Sequence, residues 1–492
     1  MRLSKLLEGI ENGEMIFDGD WEREIAVLSA DSRKEQTSGL FFCLKGEQTD
    51  SHTCVDEAVE NGAVAIVTER KLSVSVPQIL VSDTRYALGR LSSVFYEEPS
   101  SHLKVIGITG TNGKTTTSYM VASILREEGK NVGLIGTLGV FYNQVARPSD
   151  LTTPDPIALH ATLAEMYRHG VEYVVMEISA HALYYKKAVG VTFTACLFTN
   201  FTQDHLDFFG TMQAYKQAKK LLFSEDMCPL AILNGDEALG REIGLDREKI
   251  KALKTVYYGL HTPSDSFAVI TEESLKGSEC VLNLSDKLCR VSLSMVGKHN
   301  VYNALAAAVC AKCLGCSLQA IAIGLKAVNA VEGRLQAVGA FHGADIFVDF
   351  AHTPDGLGKS LDALRLHCKG RLICLFGCGG NRDKGKRLLM GEIAAKKADF
   401  SVLTSDNPRY EDPLDIISGI EKGYRRFSVY YVVVPDRKRA IDYALEFLKK
   451  GDILLVAGKG GEQYQEIMGI KYPFNDHDII KEKLKRTENF SG

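Results

Sequence analysis

No apolar run in this chain approaches the roughly 18 residues needed to cross a bilayer, so membrane insertion is not expected. A basic excess is missing as well: 58 Lys and Arg stand against 62 Asp and Glu, a net charge of -4 with an isoelectric point near 6.3. Bodies that bind nucleic acid usually carry the opposite balance, and none is expected as a partner here. The opening "MRLSKLLEGIENGEMIFDGD" is too acidic for a secretory leader. There is no short-period repeat, no low-complexity stretch and no evident Ser-His-Asp arrangement for nucleophilic catalysis. These absences point to a cytoplasmic protein; apart from them, a monomer is expected.

Cysteine is not scarce, at 12 residues, and "CAKCLGC" spaces Cys310, Cys313 and Cys316 three apart. Such spacing can mark a zinc or iron–sulfur site. Alanines surround the run and no fourth ligand is near, so "NALAAAVCAKCLGCSLQAIAIGL" reads as a core helix with cysteine serving as a small apolar residue. Cys196 and Cys374 lie in apolar strands and read as reduced, buried thiols.

At 492 residues, 45% of them apolar and 24% charged, the chain is an ordinary globular sequence too long for one core. We expect three α/β domains in a row. Residues 1–100 alternate short apolar runs with acidic helical stretches: "GLFFCLKG" reads as a strand, "CVDEAVENGA" as a helix, "VAIVTE" as a strand and "YEEPSSH" as a linker. Residues 101–332 alternate buried strands ("KVIGIT", "VEYVVME", "FTACLFTN") with helices, the pattern of a mostly parallel sheet. Residues 333–492 restart the alternation with "RLICLFG", "ADFSVLTS" and "GDILLVAG", a Rossmann-like α/β arrangement.

The strand "KVIGIT", the turn "GTNGK" and the helix "TTTSYMVASILREEGK" give the context of a phosphate loop. Backbone N–H groups at such a helix start face an anion, and the helix dipole favours negative charge there. Lys114 would reach the terminal phosphates and the Thr115 hydroxyl would meet magnesium. Ile108 stands where the first glycine of the common GxxxxGK[ST] spelling would be. The loop is expected to bind a nucleoside triphosphate.

Cation ligands for a triphosphate belong at the carboxyl ends of neighbouring strands. Glu177 follows four apolar residues in "VVMEISAH", a costly place for an acid without a cation or partner. Asp204, His205 and Asp207 follow the strand of "LFTNFTQDHLDFFG" and are candidates for metal binding. Three lysines of "AYKQAKKLLF" lie on a helix, ordinarily a solvated face. In the last segment, "CGGNRDKGKR", "SDNPRYEDP" and "GKGGEQY" are polar loops directly after strands, and Arg382, Lys384, Lys386 and Arg387 suggest an anion site.

"TGTNGKTTT", "MEISAH", "TNFTQDHLDFFGTMQAYKQAKKLLF", "GKHNVYNALAAA", "EGRLQ", "VDFAHTPDGL", "FGCGGNRDKGKR", "TSDNPRYEDP" and "VAGKGGEQYQ" occur in the order seen in Mur ligases, and the chain resembles their MurE branch from about Asp31 to Asp476. The resemblance implies a ligase that uses ATP, through an acyl phosphate, to join an amino acid to UDP-MurNAc-L-Ala-D-Glu for peptidoglycan synthesis. It implies ATP contacts from Gly110, Thr111, Asn112, Gly113, Lys114, Thr115, Thr116, Asn303, Arg334, Asp349 and His352. Two magnesium ions are implied, Thr115 and Glu177 meeting one and His205 helping to hold the second. Lys219 matches a lysine that the family carbamylates with carbon dioxide, so Lys114, Glu177, His205 and Lys219 form the expected catalytic group. Ser32 would contact UDP, and Thr152, Thr153, Ser179 and Lys187 the dipeptide.

The resemblance places the incoming amino acid at Arg382, Asp406, Asn407, Pro408, Arg409, Gly458 and Glu462. The spelling "DNPR" matches the form associated with meso-diaminopimelate. That molecule has a second amino-acid head, whose carboxylate Arg409 could grip bidentately, whereas lysine would bring a like charge. Alternatives are L-lysine or another diamino acid, and a non-catalytic nucleotide-binding module. The chain departs from the family pattern at Ser51, Ala180, Lys187, Gln336, Phe350 and Gly461, which leaves room for an altered acceptor.

Overall fold

The computed structural model describes residues 1–10, 16–17, 19–46 and 49–490. Residues 11–15 and 18 of the opening stretch, and Glu47 and Gln48 of the segment resembling a UDP grip, lie outside the described residues. The contacts define two compact units: Met1–Thr109 with Lys130–Cys196 and Leu221–Leu230, and Gly110–Gly129 with Leu197–Lys220 and Ala231–Gly492.

In the first unit, an N-terminal sheet orders its five strands Ile16–Phe17, Gln78–Leu80, Ala63–Thr68, Gly39–Phe42, Val27–Ser29. Neighbours are parallel except at the Ile16–Phe17 edge. Successive side chains point to opposite faces: Leu40, Phe42, Ala65 and Val67 enter one core, Phe41 and Ile66 another. Strands covered on both faces read as near-continuous apolar runs, which is why "GLFFC" and "VAIV" are legible. The linker begins where the helix Thr84–Phe95 ends; Glu97 and Glu98 take φ of 63° and 48°, and Pro99 opens a short 3-10 turn. The unit also carries Tyr173–Glu177 paired in parallel with both Lys104–Thr109 and Val132–Gly136, then the antiparallel Gly139–Tyr142 and Val145–Arg147.

In the second unit, Lys254–Gly259 pairs in parallel with Ser266–Ser274, and the antiparallel strands Gly277–Leu284 and Leu288–Leu293 follow. The C-terminal sheet orders six strands Gln336–Phe341, Ala344–Asp349, Ile453–Ala457, Leu372–Phe376, Phe400–Leu403, Tyr431–Val433, parallel except the first. Leu372, Cys374 and Phe376 pack with residues of the helices Pro354–Arg365, Gly385–Lys397 and Pro413–Tyr424. Ile373 and Leu375 pack on the other side with the helix Arg437–Glu446. Helices on both faces make this a doubly wound sheet, which gathers loops at the strands' carboxyl ends. The three expected α/β segments thus each have their own sheet.

The cysteine-bearing helix is shorter than its apolar run suggested. It spans Lys298–Cys313, and a second helix, Leu318–Ala327, follows. Gly315 takes φ 92° beyond the first, and the Ser317 hydroxyl accepts from Ala320 N–H to cap the second. Cys310 is buried in that first helix, while Cys313 is exposed.

Candidate active site

The helix Lys114–Glu127 starts directly from the glycine turn, and both expected glycines are required by geometry. Gly113 caps the helix at φ 86°, and a Cβ there would lie 2.4 Å from Asn303 Oδ1. At Gly110, φ is 150° and a Cβ would come within 1.9 Å of Thr199 Oγ1. The turn is laced to the last two residues of "LFTN": Thr111 N–H donates to Asn200 O (2.9 Å), Asn112 N–H to Asn200 Oδ1 (2.9 Å), and Thr199 Oγ1 to Asn112 O (2.7 Å). Lys114 curls back, its Nζ donating to Gly110 O and Thr111 O at 3.0 Å each. Thr115 Oγ1 accepts from an Arg334 amino group at 3.1 Å, and the Arg334 guanidinium lies 4.3 Å from the Phe350 ring centroid. Asn303 is buried, donating to Asn300 Oδ1 at 3.1 Å.

Lys219 ends the helix Met212–Lys220 and is only 1% exposed, unlike the solvated face its spelling suggested. The solvated role falls to Lys216 and Lys220, which pair with Glu242 and, for Lys220, Asp246. Lys219 Nζ sits 4.6 Å from the Tyr215 ring centroid. Burial, reinforced by the like charge of Lys114 and opposed by Asp204, pushes its ammonium well below the ordinary lysine range.

Asp204 is the hub of this unit. Its carboxylate is buried, 3.3 Å from His205 Nε2, 3.6 Å from His352 Nε2 and 3.9 Å from Lys386 Nζ. Burial alone would raise its pKa; the His352 hydrogen bond and the charges of His205, His352 and Lys386 outweigh that and hold it well below the usual carboxylate range. His205 takes φ 54° at the start of the short helix Leu206–Phe209, which aims the ring at its neighbour's carboxylate. His352 Nδ1 bonds Phe350 O at 2.8 Å, which leaves Nε2 facing Asp204. Asp349 turns inward instead, accepting from Leu335 N–H, Ala351 N–H and Ser360 Oγ, and its pKa is raised by burial against the pull of Arg334.

In the first unit, the expected residues Thr152, Thr153, Glu177 and Ser179 form one network. Thr153 Oγ1 donates to Glu177 O (2.9 Å) and accepts from Ser179 N–H (3.1 Å). Thr137, absent from the sequence-derived candidates, completes it by bonding both Glu177 oxygens and the Thr152 hydroxyl. Two expected residues have other partners: Lys187 Nζ pairs with Asp155 at 2.7 Å and the Ser32 hydroxyl donates to Glu57.

The third group gathers at the carboxyl ends of the C-terminal sheet. Arg409 adopts φ 52°; its Nε meets Glu466 Oε2 at 3.0 Å and its Nη1 donates to Gly380 O at 2.8 Å. Arg382 lies beside it: a Cβ on Gly379 would stand 2.9 Å from Arg409 Nη1 and 3.7 Å from Arg382 Cγ. Desolvation and then the charge of Arg409 lower the Arg382 pKa, while the Arg382 Nη1 donates to Asn381 O at 3.2 Å. Asp406 is buried next to Gly458, whose φ of 112° and a would-be Cβ 2.6 Å from Asp406 Oδ2 admit only glycine. Burial would raise the Asp406 pKa, but Lys459, Arg437 and the Asn407 N–H keep it lowered. Pro408 O closes on Gly380, where a Cβ would be 1.9 Å away. Glu462 Oε2 accepts from Asn407 Nδ2 and Lys459 Nζ, each at 2.8 Å. Sequence reading missed Glu411, which holds Arg387 through two 2.9 Å bonds, and Glu466 on Arg409. Glu411 lies inside a quoted motif and Glu466 directly follows one, but their pairing crosses between loops.

Several departures from the family pattern have local explanations. Gln336 Oε1 accepts from Gly333 N–H at 3.0 Å, and Ser51 Oγ bonds the backbone of Leu44. A Cβ at Gly461 would come 2.9 Å from Glu332 Cγ.

Fold and loop together are those of a phosphate-loop α/β protein. Within that class, the Mur ligase middle domain matches residues 108–311 and the Mur ligase glutamate ligase domain matches residues 333–460: the chain belongs to the Mur ligase family. It is 40% identical over 490 residues to the UDP-N-acetylmuramoyl-L-alanyl-D-glutamate–2,6-diaminopimelate ligase of Caldanaerobacter subterraneus subsp. tengcongensis, covering 99% of this chain and 100% of that one. The protein of the same name from Geobacillus kaustophilus is 41% identical over 469 residues, 94% of this chain and 95% of its own. A solved structure of a ligase with that name superposes with a TM-score of 0.71 at 31% identity, covering 99% of this chain and 100% of the other.

Proposed function

We propose that this chain is an ATP-dependent ligase that adds meso-2,6-diaminopimelate to UDP-N-acetylmuramoyl-L-alanyl-D-glutamate, a step of peptidoglycan precursor synthesis. The observation that carries the choice of amino acid is that Arg382 and Arg409 both flank Gly379 at the carboxyl ends of the sheet, where the loop of Arg409 also carries the buried Asp406 carboxylate. A two-headed amino acid brings carboxylates to the guanidiniums and an ammonium to the acid. Glu466 and Gly380 engage Nε and Nη1 of Arg409 and so fix the plane of its guanidinium. In this reading Asp406, Gly458 and Glu462 meet the distal ammonium, Arg409 the distal carboxylate and Arg382 another carboxylate, with Asn407 and Pro408 shaping the loop.

The peptide carboxylate attacks the terminal phosphorus of ATP, the bond to ADP breaks, and an acyl phosphate forms. The neutral amine of diaminopimelate adds to the acyl carbon; the tetrahedral intermediate then expels phosphate with the C–O electron pair, and the nitrogen loses its proton to solvent. Such chemistry needs positioning and charge neutralisation more than protein nucleophiles. Gly110–Thr116 would cradle the phosphates with backbone N–H groups, and Lys114 would exchange its loop carbonyls for phosphate oxygens. Asn303, Arg334, Asp349 and His352 are assigned to the nucleotide by resemblance, Ser32 to UDP, and Thr152, Thr153, Ser179 and Lys187 to the dipeptide. Residues 1–100, 101–332 and 333–492 would serve UDP, ATP and amino acid respectively.

By resemblance, Thr115 and Glu177 would meet one magnesium ion and His205 would help hold a second; hydroxyl and carboxylate oxygens are the donors magnesium prefers. Among the described residues no three His, Cys, Asp or Glu side chains form a group that could hold a metal ion. Bound magnesium supplies charge neutralisation on the phosphates. The buried Lys219 amine beside Lys114 supports carbamylation, in which Nζ bonds the carbon of carbon dioxide and releases a proton, turning a repelling ammonium into an anionic oxygen donor. Among the described residues no helix is long and apolar enough to cross a membrane. We assign the protein to the cytoplasm and expect a monomer.

Phosphate release by the purified protein with diaminopimelate, L-lysine and other diamino acids tests the reading. Diaminopimelate should exceed L-lysine by roughly 100-fold, about 3 kcal/mol, and Arg409→Lys should erase most of that margin. Equal rates with L-lysine would overturn the assignment.

A further inference from the structure

Lys459 is 0% exposed, and no role for it follows from the motif that contains it. An ammonium is removed from water only where partners replace its hydration. Here Nζ lies 3.0 Å from Asn407 Oδ1, 2.8 Å from Glu462 Oε2 and 5.7 Å from the Tyr464 ring centroid. Asn407 Nδ2 in turn donates to the same Glu462 Oε2 at 2.8 Å, and Asn407 Oδ1 also accepts from Glu466 N–H at 2.9 Å. Lysine, asparagine and glutamate therefore close a ring.

The ring joins two loops that the chain does not hold together. Asn407 follows the strand Phe400–Leu403 and Glu462 follows Ile453–Ala457, and the sheet order inserts Leu372–Phe376 between those strands. A flexible four-carbon stem with a compact charge reaches across that gap. Glu466, whose N–H belongs to the same network, is also the partner of Arg409. Charge agrees with geometry: Lys459 is the foremost of the groups that hold the neighbouring Asp406 ionised against its burial.

We propose that Lys459 is a positioning residue for amino-acid recognition, its buried ammonium locking Asn407 and Glu462 so that the loops bearing Asp406, Arg409 and Gly458 present one fixed surface to the incoming amino acid. This rests on the assignment of those loops to diaminopimelate. Lys459 does not touch the substrate itself. Without it, Glu462 and Asn407 lose their common donor, and one direct bond, Asn407 Nδ2 to Glu462 Oε2, is left to join the two side chains.

The test is steady-state kinetics of the full chain with all three substrates varied in turn, for the wild type, Lys459→Met and Lys459→Arg. Lys459→Met should raise KM for diaminopimelate at least ten-fold and lower the preference for diaminopimelate over L-lysine by a similar factor. KM for ATP and for the nucleotide-linked peptide should stay within two-fold. Lys459→Arg should recover part of the loss, because it restores a cation without the fit. Equal deterioration of all three KM values, or an unchanged KM for diaminopimelate, overturns the proposal. Should Lys459→Met not fold, Lys459→Arg is judged by the same criterion. A wild type that ignores diaminopimelate would refute the amino-acid assignment itself, a result separable from either variant's behaviour.

Discussion

Thr137 holds both oxygens of the Glu177 carboxylate: its N–H donates to Oε1 at 2.9 Å and its hydroxyl to Oε2 at 3.1 Å. The same hydroxyl lies 3.1 Å from Thr152 Oγ1. The approach is possible because residue 136 is glycine; a Cβ there would be 2.1 Å from Glu177 Oε1. A carboxylate gripped at both oxygens cannot rotate freely, so its direction toward a cation is set in advance.

Thr137→Val should therefore raise the magnesium concentration that half-saturates ADP release by roughly 20-fold, about 1.8 kcal/mol and within the 1.5–3 kcal/mol typical of a hydrogen bond to a charged group. Thr137→Ser, which keeps the hydroxyl, should stay close to wild type. Identical magnesium titrations for Val and wild type would dissociate Thr137 from Glu177's function.

Lys219 lies buried near Tyr215 and within the electrostatic reach of Lys114. If it works as a carbamate, Lys219→Ala should lose roughly 100-fold or more in turnover, and a short carboxylic acid diffusing into the vacated space should restore part of it. Carbon-13 bicarbonate should give a carbamate resonance in the wild type that is missing in the variant. An active, unrescuable Lys219→Ala without a missing resonance would remove the carbamate from the mechanism.

The parts of the site that proved legible in the sequence are those governed by local chemistry. "GTNGK" after "KVIGIT" announces the phosphate loop because the turn's positive φ values at Gly110 and Gly113 demand glycine within five residues. The strands are legible for the same kind of reason, since burial on both faces leaves unbroken apolar runs. Pairings between distant segments leave no such mark. Lys459 and Glu411 sit in motifs whose spelling is plain and Glu466 directly follows one, yet their partners, Asn407, Arg387 and Arg409 in turn, lie 24 to 57 residues away. The long apolar helix was misjudged in length because a cap pair, Gly315 and Ser317, interrupts an otherwise continuous pattern. The burial of Lys219 among three lysines of one helix could not be read from charge at all; only tertiary packing separates it from Lys216 and Lys220.

His160 provides a prediction about stability that is independent of the ligase reading. It belongs to the helix Pro156–Arg168 and is fully buried, with Nε2 3.1 Å from Val189 O. A carbonyl can only accept, so Nε2 carries the hydrogen; Nδ1 is buried with no hydrogen-bond partner to receive a second proton, which favours the neutral ring. Burial lowers its pKa from 6.5 to about 4; the bond to Val189 opposes this and the Arg90 charge adds to it. Between those two pH values the unfolded chain binds a proton that the folded chain does not, so stability must fall as pH drops from about 6.5 to about 4. The full loss is on the order of 3 kcal/mol. His299, buried and also lowered to about 4 chiefly by burial, acts in the same direction. In His160→Gln the His299 contribution remains and the His160 contribution vanishes. Melting curves from pH 7 to pH 4.5 should therefore differ in slope: the wild type loses more stability on acidification than the variant does, whatever their difference at pH 7. Parallel profiles would mean that His160 is protonated in the folded protein and finds an acceptor that its present surroundings do not offer.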